Sequence, residues 1–80
     1  MTRLYWDFRG GRAHGTAEHF ARHLEEFLSA TALTGCGIGV EAYSAIHSAA
    51  YCDAPAKALP TIVERLQPRR RRTVPPGEDA

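Results

Sequence analysis

Long apolar runs are missing from this 80-residue sequence. None approaches the roughly 18 residues of a membrane span. The opening Met1-Thr2-Arg3-Leu4-Tyr5-Trp6-Asp7 also lacks the apolar stretch of a secretory leader, so no membrane partner is expected. Cysteine is scarce: Cys36 and Cys52 are too few for a disulfide framework and are expected as thiols of a cytoplasmic protein. The length excludes a Rossmann domain, a P-loop NTPase or a TIM barrel. A chain of this size buries only about 60–65% of its unfolded surface, enough for one core between two layers.

An excess of charge of one sign is missing too, since the formal net charge is +1. Divided at Pro68, however, the chain has a body of six bases against seven acids and a segment, 69–80, in which Arg69, Arg70, Arg71 and Arg72 face only Glu78 and Asp79. Any affinity for a polyanion is therefore expected in a flexible basic tail, residues 69–80, behind a single domain at 1–68. What the chain does have is 44% apolar and 24% charged residues, the balance of an ordinary globular protein.

Residues 3–9 alternate strictly, with Leu4, Trp6 and Phe8 on one face and Arg3, Tyr5, Asp7 and Arg9 on the other, which predicts a half-buried strand. Glycines at 10, 11 and 15 interrupt it, and Thr16 is placed to cap the helix that follows. Ala17, Phe20, Ala21, Leu24, Phe27 and Leu28 recur at three- and four-residue steps, an apolar stripe on a helix ending near Ala32. Cys36, Ile38, Val40 and Ala42 then alternate with Gly37, Gly39, Glu41 and Tyr43, and His47–Asp53 gives a third strand joined through Ser44 and Ala45. Leu59, Ile62, Val63 and Leu66 form the stripe of a second helix, whose regular part is expected to begin near Pro60. Arg70–Val74 is a candidate fourth edge strand.

This β-α-β-β-α order predicts an α/β (α+β) fold, a two-layer open-faced sandwich with a mainly antiparallel sheet and both helices on one face. The order over about residues 3–67 resembles the ferredoxin-like split β-α-β family. That resemblance implies a fold and no particular function.

The period of two sends Tyr5, Tyr43 and Tyr51, every tyrosine in the chain, to the sheet face away from the helices, among Arg3, Asp7, Arg9, Gly37, Gly39, Glu41, His47 and Ala49. Three readings follow. Tyrosine is a good strand former on a solvated face. A partner protein, most simply a second copy, docks on it, with Tyr5, Tyr43, Tyr51, Arg3, Arg9 and His47 as contact residues. Or single-stranded nucleic acid stacks on Tyr5 and Tyr51 with help from Arg69–Arg72. The last arrangement resembles the RNA-recognition-motif family, where aromatics on the first and third strands form the platform. Here Ser48-Ala49-Ala50-Tyr51-Cys52 lacks that family's basic and glycine-aromatic signature.

Other groups carry narrower expectations. Gly11, Arg12, His14, Gly15 and Thr16 lie where a strand meets a helix N-terminus, a setting for a small anion or for turn geometry alone. His19 and His23 are four apart on the first helix, a spacing that suits one metal ion or simply a solvated face. Cys36 and Cys52 are expected as core thiols, opposite one another if the hairpin is centred on Ser44. No cofactor motif is present. For catalysis the candidates are His47 near Tyr51, a base beside a phenol, with Tyr43 and Asp7, in a site that needs a second subunit to enclose substrate; a binding or regulatory role is expected rather than an enzymatic one.

Overall fold

The computed structural model describes residues 1–74. The chain has an α+β fold, with elements in the order β1 (Thr2–Arg9), α1 (Ala13–Ala30), β2 (Gly37–Ser44), β3 (His47–Ala54), α2 (Leu59–Leu66) and β4 (Arg70–Thr73). The four strands form one sheet in the order β2-β3-β1-β4, with every neighbouring pair antiparallel.

The alternation in β1 does what a period of two requires. Leu4 and Trp6 are buried with Ala50 and Cys52 of β3, Leu24 and Leu28 of α1 and Ile62 of α2 in one core. Phe20 closes its edge, 5.2 Å from the ring of Trp6 and 5.6 Å from that of Phe8. The indole of Trp6 also donates a 2.9 Å hydrogen bond to the carbonyl of Leu66, tying β1 to the last turn of α2. Pro60 sits in the first turn of α2, where its missing N–H costs nothing, and Gln67 ends the helix in the left-handed region at φ 47°.

Three expectations are corrected. The domain does not stop at Pro68: Arg70–Thr73 pairs with β1, Arg69 N–H donates to the carbonyl of Tyr5 at 2.7 Å, and Val74 is 2% exposed. These residues are part of the sheet, and only 75–80 of the expected tail lie outside the described residues. Secondly, α1 begins at Ala13 with Arg12 as its N-cap and without any side-chain cap, so Gly15 and Thr16 are inside the helix. Burial of Ala13 and Ala17, at 2% and 0% exposed, docks the first turn and outweighs the cost of about 1 kcal/mol for glycine in a helix. Thirdly, the β2–β3 hairpin sets Ile38, not Cys36, opposite Cys52, with an irregularity between Ala42 and Ser44. The turn is therefore centred one residue later than Ser44, and the two thiols meet diagonally.

Candidate functional site

The face of the sheet opposite the core is built by the strand register. Pairing of β1 with β3 sets Arg3 against Asp53, Tyr5 against Tyr51, Asp7 against Ala49 and Arg9 against His47. Pairing of β1 with β4 brings Arg70 beside Tyr5 and Arg72 beside Arg3. On the other side β2 adds Gly37, Gly39 and Glu41. The glycine at 39 has a steric cause: the ring of Tyr51 lies across it, where a Cβ would collide with the phenol.

Long polar side chains then link across this face in one chain of hydrogen bonds. Asp53 accepts from Arg3 Nε and Nη2 at 2.6 and 2.8 Å, and Arg3 Nη1 donates to Glu41 at 3.1 Å. Glu41 accepts from the Tyr43 hydroxyl at 3.0 Å, and that hydroxyl accepts from Arg70 Nη2 at 2.9 Å. Arg70 grips Asp7 with two bonds of 2.8 Å, and Asp7 is 3.0 Å from Nε2 of His47. The guanidinium groups also stack, Arg3 at 4.1 Å over Tyr51 and Arg70 at 4.2 Å over Tyr5. Planar guanidinium on an aromatic face is a favourable contact that leaves the N–H edge free to bond.

These clamps change the reading of the tyrosines. Tyr5 is 4% exposed and Tyr51 half-buried, because the chain's own arginines lie on their rings; only Tyr43, at 44%, stands open. The candidate fourth edge strand is present as β4 in place of a loose basic tail, and its alternation aims Arg70 and Arg72 onto the face. A nucleobase would have to displace Arg70 from Tyr5 and Arg3 from Tyr51 before it could stack. His47 likewise belongs with Asp7 and with the ring of Tyr43, at 4.7 Å, rather than with Tyr51 as a base beside a phenol. Tyr5, Glu41, Tyr43, Arg70, Arg71 and Arg72 line an open depression of about 720 Å³ between the two edge strands.

The electrostatics follow from these contacts. The bonds from Arg70, with His47 adding, hold the Asp7 carboxyl below its usual range against the opposing effect of partial burial. Partial burial raises the phenol of Tyr43, with Arg70 opposing and Glu41 adding, so it stays protonated at neutral pH. From sequence Asp7 and Glu41 are legible only as face residues and Arg70 as tail or edge strand, while Asp53, read only as the end of the third strand, is missed as the partner of Arg3. Their linkage depends on β4, which periodicity in a four-residue arginine-rich stretch does not announce.

The remaining candidates do not join this face. Arg12, His14, Gly15 and Thr16 lie on the first exposed turn of α1, with His14 Nε2 3.7 Å from Glu18. Gly11 precedes them in the turn that Gly10 makes at φ 112°. His19 and His23 are exposed on α1 with their Nε2 atoms 2.9 Å apart, and among the described residues no three potential metal ligands converge. Burial pushes the thiol of Cys52 up to about 12 and raises that of Cys36, so neither is an activated nucleophile. Comparison of the chain with family models, with curated proteins and with solved structures finds no match in any of the three.

Proposed function

We propose that the protein is a non-enzymatic binding module, a ferredoxin-like two-layer sandwich that dimerises through the open face of its sheet. The sandwich reading rests on the strand order, in which β3 lies antiparallel between β1 and β2 while β4 flanks β1. One observation carries the functional reading: three tyrosines and four arginines, Arg3, Arg9, Arg70 and Arg72, share a face over which the described chain lays no helix. Tyrosine and arginine are the residues enriched in the cores of protein interfaces, and lysine is depleted there. Here the rings and guanidiniums hold each other in place, which reduces the side-chain entropy lost on docking.

Charge favours a second copy as the occupant. Four arginines oppose Asp7, Glu41 and Asp53, so two faces meet without strong repulsion. A two-fold axis parallel to the strands lays β4 of one protomer over β2 of the other, setting the arginine-bearing strand over the strand that carries Glu41. An axis across the strands would set β4 over β4 and arginine against arginine. A face four strands wide and eight residues long measures about 19 by 26 Å, giving an interface at the low end for specific association. Micromolar dimerisation is the expectation.

Sedimentation equilibrium across the micromolar range tests this. A monomer–dimer equilibrium that Tyr43→Ala shifts toward monomer supports the reading, and Tyr43 is exposed enough for the variant to fold. A strict monomer throughout that range overturns it, as does a dimer indifferent to both Tyr43→Ala and Glu41→Arg.

A further inference from the structure

The helix layer, remote from the open face, carries a second arrangement. His19 and His23 lie one turn apart on α1, and their rings meet edge to face with centroids 4.5 Å apart and Nε2 atoms 2.9 Å apart. Two nitrogens that close hold one hydrogen between them, so one lone pair is already directed at the other ring. On the far side of His23, Nδ1 lies 3.2 Å from the carboxylate of Glu26. A carboxylate there draws the ring hydrogen to Nδ1 and leaves Nε2 as the free lone pair, the role that outer-shell carboxylates play for metal-bound histidines.

We propose that His19 and His23 form a two-nitrogen chelate for a late divalent transition metal, copper(II) foremost, with Glu26 as the residue that positions His23. The geometry points to the metal class. With bonds of about 2.0–2.1 Å, nitrogens 2.9 Å apart subtend about 90° at the ion, which matches the cis angle of a tetragonal site without rearrangement of the pair. Copper(II) prefers that geometry and also heads the affinity order for nitrogen ligands. Binding moves the shared hydrogen of His19 from Nε2 to Nδ1, and both Nε2 lone pairs then bond the ion. Neutral rings release no proton. Since no third His, Cys, Asp or Glu converges there among the described residues, water completes the coordination.

The test uses the full chain with copper(II) chloride in a non-chelating buffer, followed by calorimetry and by electron paramagnetic resonance. One ion per chain is expected, with an axial spectrum carrying coupling to two imidazole nitrogens. His19→Ala and His23→Ala should each weaken binding by tenfold or more, and the double variant should be no worse than either alone, because one substitution already destroys the chelate. Glu26→Gln should weaken it by about tenfold, the lower end for an outer-shell partner, while His14→Ala should leave it unchanged. These histidines are exposed, so folding does not confound the comparison. Wild-type affinity in the His19→Ala, His23→Ala double variant would overturn the proposal, as would a spectrum with a single coupled nitrogen.

Discussion

Asp7 is held on the sheet by charge, and its titration is a direct reporter of the face. Arg70 is the largest cause of its lowered pKa, ahead of the opposing burial and of His47. A carboxyl that binds its proton less tightly when folded contributes stability that is complete above its ordinary value of 3.8 and is lost as pH falls through the lower folded value. Urea unfolding at a series of acidic pH values should therefore show an acid limb that Arg70→Gln flattens. An unchanged limb in that variant would remove Arg70 from this role. Ser48 is the opposite case: its hydroxyl is buried on the core side of β3 with no hydrogen-bond partner among the described residues. Burying an unpaired hydroxyl costs about 1–3 kcal/mol, so Ser48→Ala should stabilise the domain by about 1 kcal/mol, several degrees in Tm for a chain this short. A lower Tm would show that Ser48 has a partner. The thiols are equally checkable. Cys52, with its thiol pushed up to about 12 chiefly by burial, should resist iodoacetamide at pH 8 until the protein unfolds, whereas half-exposed Cys36 should react slowly in the native state. Mass spectrometry of the two peptides distinguishes them, and equal labelling of both would contradict the packing of β3.

Among the elements β4 does the most with the fewest residues. It supplies Arg70 and Arg72 to the face, covers the edge of β1 and leads into Val74, which is 2% exposed. A chain ending at Pro68 should lose at least about 2 kcal/mol from Val74 alone, together with the strand pairing, out of a total of roughly 4–12 kcal/mol for a domain of this length. Thermal unfolding followed at Trp6 measures this, and an unaltered Tm would mean that β4 is dispensable. Strand β1 and both helices were legible from sequence because each repeats an apolar residue at a fixed period: Leu4, Trp6 and Phe8 for the strand, Leu24, Phe27 and Leu28 for α1, Ile62, Val63 and Leu66 for α2. The start of α1 was not, since Gly15 and Thr16 read locally as a break and a cap. What overrides them is the docking of Ala13 and Ala17 on the sheet, a tertiary effect. For β4 the local signal is four like charges, and only pairing with β1 gives them a strand. The candidate face divides in the same way. Its tyrosines could be placed by counting residues in twos, whereas the arginine clamps that cover Tyr5 and Tyr51 depend on which strand neighbours which.

At the scale of the whole molecule, one sheet face packs the core while the other carries a linked set of tyrosines, arginines and carboxylates. In the proposed dimer a second copy covers this face, with β4 laid over the partner's β2. The most direct measurement is sedimentation of two charge-reversed variants, Glu41→Arg and Arg72→Glu, alone and mixed. Alone, each puts like charges on β4 and on the β2 that faces it at both symmetric contacts, and should be monomeric at concentrations where the wild type dimerises. Mixed, both contacts again become Arg against Glu, and a heterodimer should form. Variants that dimerise as well alone as the wild type, or a mixture that remains monomeric where the wild type dimerises, would contradict the proposed pairing of the two faces.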